Sequence, residues 1–282
     1  MKTILIPTDF SQNAWNALFT ALKLFRNEDC RFLLLNTYEP NLINVLGDQG
    51  EKRLGLIYES LEAESREKMK NVLNELTTYS LRPGNEFKTR CAPGDLVSEV
   101  KKLVKKGRID MIVMGTKGAS GADRVFMGSN AVRILKHISN RPILAVPEGY
   151  NFQALKTVLL PTDFMHYYES FELQPLLDLM EPWEAEVRVA YAAKEFKLNS
   201  TQESNKKLLQ TRLKSENSRF VEIPLETSVS DSIRQYGSAI EADMIALMQH
   251  RHSFLEAVTK EKVVKRIAFD TEIPLFILPK RL

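Results

Sequence analysis

The sequence predicts an α/β protein made of two tandem domains, each a parallel sheet with helices on both faces. Two observations carry this expectation. Short, fully apolar runs alternate with amphipathic stretches along the chain, the order that builds a parallel sheet between helical layers. In addition, Ile4-Leu5-Ile6-Pro7-Thr8-Asp9-Phe10 returns 154 positions later as Val158-Leu159-Leu160-Pro161-Thr162-Asp163-Phe164. The repeat continues. Leu33-Leu34-Leu35 aligns with Val187-Arg188-Val189 at the same offset, and Asp110–Met114 aligns with Asp243–Leu247 at offset 133. Arg141–Pro147 aligns with Ile273–Pro279 at offset 132, so the second copy is shorter by about 22 residues. A period this long means two domains rather than a solenoid. The turn-rich Pro147-Glu148-Gly149-Tyr150-Asn151 marks the boundary, giving expected domains 1–148 and 152–282.

In the first copy, Thr3–Pro7 is a short apolar run ending in proline, a buried strand. Ser11 offers an N-cap, and Ala14, Ala17, Leu18, Ala21, Leu22 and Phe25 follow at helical spacing. Arg31–Tyr38 is the second strand. Glu59–Leu76 is a long charged helix, and Glu86–Cys91 the third strand. Pro93-Gly94 is a turn, and Asp95 caps a helix carrying Leu96, Val100, Leu103 and Val104. Asp110–Met114 is the fourth strand, Asn130–Ile138 a helix and Pro142–Val146 the fifth strand. The second copy repeats this order through Val158–Leu160, Leu173–Met180, Val187–Ala190, Glu203–Lys214, Arg219–Ile223, Ser230–Ile240, Met244–Leu247, Lys260–Ala268 and Leu275–Leu278.

Composition narrows the function. Thirty-nine bases against 36 acids leave a net charge of +3 over 282 residues, too balanced for a nucleic-acid partner. The basic run Lys101-Lys102-Leu103-Val104-Lys105-Lys106 has its apolar residues at helical spacing and is the wet face of an amphipathic helix. No run of 18 uncharged apolar residues exists, so no membrane helix is expected. The first nine residues reach a proline and an acid too early for a signal-peptide core. Two isolated cysteines, Cys30 and Cys91, form no redox or metal motif, and a cytoplasmic location is expected. His250 and His252 lack a third ligand in sequence, so no metal site is assigned. Trp15 and Trp183 sit in helical, apolar surroundings and read as core or interface residues.

Chemistry concentrates in one loop. Eleven of the 12 glycines lie between Gly47 and Gly149. After the fourth strand comes Gly115-Thr116-Lys117-Gly118, and nine residues later Gly128-Ser129 opens a helix. In an open α/β sheet, ligands bind beyond the carboxyl ends of the strands, where strand order reverses. A helix N-terminus there presents unpaired amides and partial positive charge to an anion. Gly115 and Gly118 let the backbone approach a phosphate without a Cβ in the way. The Ser129 hydroxyl adds a donor, and Lys117 and Arg124 can add charge. Asp9, at the end of the first strand, can accept from a ribose hydroxyl or an adenine amino group; it can equally cap the helix beginning near Ser11. Neither a Walker A sequence nor a dinucleotide Gly-x-Gly-x-x-Gly is present.

At these residues the chain resembles the universal stress protein family, whose motif Gly-x2-Gly-x9-Gly-Ser/Thr is met by Gly115, Gly118, Gly128 and Ser129. The aliphatic strand ending in Asp9 and the run Arg141–Pro147 match as well. The resemblance implies two Rossmann-like, adenine nucleotide α-hydrolase-like domains, each five parallel strands in the order 3-2-1-4-5. It also implies ATP binding with slow or undetected hydrolysis. By the same resemblance the base contacts Thr37 and the side of Asp9, the ribose lies near Met114 and Gly115, and the phosphates lie over Gly118, Gly128, Ser129 and Asn130. Pro7, Thr8, Lys117, Met127 and Ala131 complete the candidate nucleotide-binding set. AMP or ADP, and Mg²⁺ beside the phosphates, are alternative occupants. Relatives with a single domain pair their fifth strands, so Pro142–Val146 and Pro274–Leu278 are expected to pair within this chain as a pseudo-dimer, with a homodimer of chains beyond it.

The second copy departs from the pattern. Its fourth strand is followed by Gln249-His250-Arg251-His252-Ser253-Phe254-Leu255, without glycine. It is expected to have lost the phosphate cradle, leaving Asp163 as a strand-end cap. No catalytic residue is assigned, because Asp9 is the only acid placed in the crevice and it lies on the nucleoside side. The functional expectation is a regulatory stress-response protein that binds ATP in its first domain, with an unknown protein partner. The rivals are a nucleotide-free interaction scaffold and a slow ATPase.

Overall fold

The computed structural model describes residues 1–40, 50–79, 82–117, 127–193, 197–213, 217–225, 228–248 and 272–280. Its first half runs β1 (Lys2–Pro7), α1 (Gln12–Leu24), β2 (Cys30–Tyr38), α2 (Gly50–Leu76), β3 (Glu86–Pro93), α3 (Leu96–Lys105), β4 (Met111–Gly115), α4 (Ser129–His137) and β5 (Ile143–Val146). The second half runs β6 (Thr157–Pro161), α5 (Ser170–Met180), a single 3-10 turn at Glu181–Trp183, β7 (Glu186–Ala193), α6 (Ser200–Arg212), β8 (Ser218–Pro224), α7 (Val229–Ala239), β9 (Met244–Met248) and β10 (Leu275–Leu278). The helix expected over Lys260–Ala268 lies outside the described residues. Three helices start three or more residues earlier than expected: α2 nine residues before Glu59, α5 at Ser170 rather than Leu173, and α6 at Ser200 rather than Glu203.

All ten described strands join one sheet in the order β3-β2-β1-β4-β5-β10-β9-β6-β7-β8. Each half is therefore a parallel 3-2-1-4-5 sheet, and the second is the reverse of the first. The halves meet where β5 and β10 pair antiparallel, Ala145 opposite Leu275 and Ile143 opposite Ile277. That pairing covers what would otherwise be two open sheet edges. The outer strands β3 and β8 remain as edges, and Lys88, Arg90, Arg219 and Glu222 expose charge there, which disfavours further strand addition.

The alternation of the central strands divides the core. Ile4 and Ile6 pack with Ala17, Leu18, Met69 and Val72 under α1 and α2, whereas Leu5 packs with Val97, Val100 and Ile134 under α3 and α4. Leu160 and Leu159 make the same division in the second half, toward Leu173 and Ile233 respectively. The aspartate repeated before each fourth strand has one job in both halves. Asp110 Oδ2 accepts the Thr3 amide at 2.7 Å and Asp243 Oδ2 accepts the Thr157 amide at 2.8 Å, tying the fourth strand to the start of the first.

The connector is clamped from both sides. Asn16 Nδ2 donates to the Pro147 carbonyl at 3.1 Å, Lys23 donates to the Phe152 carbonyl at 3.1 Å, and the Tyr150 hydroxyl donates to the Asp243 carbonyl at 3.0 Å. Trp183 sits at the junction: its indole N–H donates to the Leu24 carbonyl at 3.0 Å, its ring meets Phe152 edge-on, and Arg26 stacks over it.

Candidate functional site

The repeated Thr-Asp-Phe is a turn held by its own side chains. Phe10 has a left-handed backbone, φ +64°, which a residue with a Cβ adopts only at a cost. Thr8 Oγ1 accepts the Phe10 amide at 3.0 Å and Asp9 Oδ1 accepts the Ser11 amide at 3.0 Å, which offsets that cost. Ser11 in turn caps α1 by accepting from Ala14 at 3.2 Å. The second half repeats the arrangement. Phe164 has φ +58°, Thr162 Oγ1 accepts its amide at 3.0 Å, and Asp163 Oδ1 accepts the Met165 amide at 2.9 Å.

Beyond this turn in the first half lies a crevice of about 170 Å³ at the carboxyl ends of β1, β2 and β4. One wall is Pro7, Thr8, Asp9 and Ala14; a second is Asn36, Thr37 and Leu96; the third is Met114 to Lys117 together with Gly128 to Ala131. It sits at the point where strand order reverses between β1 and β4, as expected for a ligand site in this architecture.

The crevice is shaped by side chains reaching in from neighbouring elements. Asn36, near the end of β2, donates to the Thr8 carbonyl at 2.8 Å and accepts from Ser65 of α2 at 2.7 Å, so the rim of β1 is fixed from two directions. On the opposite rim Asn13 Nδ2 donates to the Lys117 carbonyl at 3.1 Å. Gly115 is pressed against that asparagine. A Cβ at 115 would stand 2.7 Å from Asn13 Nδ2 and 2.9 Å from its backbone oxygen. The close approach of α1 thus favours glycine at 115 on packing grounds alone, beside the close approach to a phosphate expected from the sequence.

Gly128 starts α4 and brings no side-chain cap to the first-turn amides. Its own amide donates to the Thr116 carbonyl at 2.6 Å, which closes the strand-to-helix connection. The N-terminus of α4 therefore opens on the crevice with Ser129, Asn130 and Ala131 lining it. The neighbouring helix α3 is capped by Asp95, which also pairs with Arg133 of α4 at 2.6 Å. Burial alone would raise the Asp95 carboxyl, but the Ser98 amide and Arg133 hold it below the usual carboxylate range.

Eleven of the 13 expected site residues line the crevice: Pro7, Thr8, Asp9, Thr37, Met114, Gly115, Lys117, Gly128, Ser129, Asn130 and Ala131. Met127 is buried in the core beneath it, against the α3 and α4 layer. Gly118, together with Arg124, lies outside the described residues. Ala14, Asn36, Leu96 and Thr116 also line the crevice and were not foreseen. Asn36 carried a signal, a polar residue closing the apolar run Leu33-Leu34-Leu35. Chemically the crevice offers helix amides and a serine hydroxyl as donors, an exposed carboxylate in Asp9 and an ammonium in Lys117. Among the described residues no group of three or more His, Cys, Asp or Glu is placed to hold a metal ion. His250 and His252 fall outside the described residues.

Comparison with known proteins gives the family. Residues 1–147 match the model of the universal stress protein family. The chain is similar to universal stress protein MJ0531 of Methanocaldococcus jannaschii, 30% identical over 145 residues that make up 51% of this chain and 81% of that protein. It is 29% identical to universal stress protein MJ0577 of the same organism over 159 residues, 51% of this chain and 94% of that protein. A solved universal stress protein from Archaeoglobus fulgidus aligns over 99% of this chain and 98% of its own at TM-score 0.63 and 16% identity, a likeness of fold.

Proposed function

The chain belongs to the universal stress protein family, and from that premise we propose that its first half binds an adenine nucleotide, ATP, and acts as a regulatory stress-response protein with slow or no hydrolysis. Two domains are part of the reading, residues 1–148 carrying the site and 152–282 serving as a glycine-poor companion. The observation that carries the proposal is the opening of α4 on the crevice. An uncapped helix start with a serine hydroxyl, reached from β4 through the Gly115, Gly118, Gly128 and Ser129 spacing, is suited to polyanionic oxygen. The base then lies toward Thr37 and Asp9, the ribose near Met114 and Gly115, and the phosphates over Ser129 and Asn130. Mg²⁺, where bound, would be carried by the phosphates and water. Slow turnover follows from the lining, since Asp9 is its one described carboxylate and stands at the end of β1, across from α4. Two thiols without disulfide partners, Cys30 and Cys91, suit a reducing cytoplasm.

The test is calorimetric titration of the full chain with ATP, ADP and AMP. One site per chain is expected, lost in Gly128→Val, whose branched side chain would stand at the helix mouth. Absence of binding heat for all three nucleotides would overturn the proposal in favour of a nucleotide-free scaffold.

A further inference from the structure

The cation at the crevice rim is already engaged. Lys117, its side chain three-quarters buried, forms an ion pair with Glu148, which lies just past the end of β5. Backbone register places the two side by side. β4 and β5 run parallel with Gly115 opposite Val146, and the Thr116 amide donates to the Val146 carbonyl at 2.9 Å, so continuing the ladder by two residues brings position 117 beside position 148. Both partners are held at the backbone. Asn13 anchors the Lys117 carbonyl, and Asn16 anchors the Pro147 carbonyl next to Glu148. Gly149, at φ +76°, then turns the chain away. Among the described residues lining the crevice, Lys117 is the one cation and Asp9 the one anion, so pairing Lys117 with an acid outside the lining leaves the local balance negative.

We propose that Glu148 is a specificity-determining residue of the crevice. By holding the Lys117 ammonium it withholds that charge from the ligand's phosphates and adds a carboxylate beside the rim lysine. The margin by which the crevice favours ATP over adenylates of lower charge is thereby narrowed. The inference rests on the nucleotide reading above and deepens it by naming the ligand property that Glu148 selects. The effect is electrostatic, so it grows with the number of phosphates and is screened by salt.

The experiment compares ATP and AMP binding, without divalent cations and at low ionic strength, to the wild-type chain, to Glu148→Gln and to Glu75→Gln. Glu75 is an exposed acid of α2 with no part in the site. Glu148→Gln is expected to tighten ATP by about two- to fivefold, the range typical of an exposed charge pair, and AMP by a smaller factor. The gain should shrink as salt is added, and Glu75→Gln should leave both affinities unchanged. An unchanged ATP-to-AMP ratio in Glu148→Gln, or weaker ATP binding because Glu148 instead positions Lys117 for phosphate, would overturn the inference while leaving the nucleotide reading intact. Wild-type protein that binds neither ATP nor AMP would instead refute the nucleotide reading, and this inference with it.

Discussion

The two halves of the molecule share the turn at the end of their first strand and differ in what meets it. In both, a threonine and an aspartate hold a left-handed phenylalanine by accepting backbone amides. In the first half the Thr8 carbonyl is satisfied from β2 by Asn36, and the crevice stays open in front of it. In the second half α6 reaches the same turn: Gln202 donates to the Asp163 carbonyl at 2.7 Å and Asn205 to the Phe164 carbonyl at 2.9 Å. Tyr168, from a longer connection to the following helix, is buried with its hydroxyl bonded to Thr162. What the copies keep in common is scaffold. What separates them in sequence, the glycines of 115–128 that have no counterpart in 249–255, marks the candidate site. The repeated aspartate is therefore explained by turn chemistry in both halves, and any ligand contact by Asp9 is an addition to that.

The sharpest break in the comparison is expected at glycine. Gly115→Val would drive its side chain into the Asn13 backbone, which cannot yield as a flexible side chain would. A loss of about 2–3 kcal/mol in stability is expected, together with loss of nucleotide binding. Gly237→Ala in the second half meets terminal methyls, those of Ile273 and Leu159 at 3.2 Å and that of Ile245 at 3.9 Å. Its gain in helix propensity offsets the crowding, so stability should stay within about 1 kcal/mol of wild type and nucleotide affinity should not change. Denaturant unfolding and calorimetry on the two variants check both statements.

Much of this architecture is legible in the amino-acid order because its cause is local. The apolar runs that become β1, β4, β5, β9 and β10 are buried on both faces, so they read as uninterrupted hydrophobic strands, and Ser11 and Asp95 cap α1 and α3. Other features depend on residues far apart in sequence. Nothing near Gly115 shows that Asn13, from α1, will press against it, and nothing near Lys117 shows that parallel register will bring Glu148 alongside. The early start of α2 escaped because Glu51, Lys52 and Arg53 put three charges in a row in the sequence and Gly55 follows, so no apolar stripe at helical spacing marks its first turn.

Intermediate effects are expected at the threonines. Thr162→Val removes the acceptor for a buried Phe164 amide and should cost about 1–2 kcal/mol, whereas Thr8→Val acts at a partly exposed turn and should cost less. Thermal unfolding of the pair ranks them.

A pH dependence should separate the halves as well. Burial pushes the Tyr168 hydroxyl up to about 12, with Asp163 and Glu172 adding to the shift against an opposing hydrogen bond from Thr162. A phenol whose folded value lies above its unfolded one keeps its full contribution below the unfolded value near 10 and loses it as pH rises from there through about 12. Stability should therefore fall across that alkaline window, and the fall should be shallower in Tyr168→Phe, as read by urea unfolding at successive pH values.

The smallest stability effects belong to the paired aspartates. Asp9→Asn and Asp163→Asn each keep a side-chain acceptor for the amide two residues on, so each should cost under about 1 kcal/mol. Only the first should alter ATP affinity, which titration of both variants would reveal.

Amide hydrogen exchange of the full chain with and without saturating ATP bears most directly on where the ligand goes. Slowed exchange is expected at Ser129, Asn130 and Ala131, the amides at the start of α4, with no change at Thr162 and Asp163 in the other half. Protection concentrated at 162–163, or an α4 start indifferent to ATP that demonstrably binds, would contradict the assignment of the site to the first half.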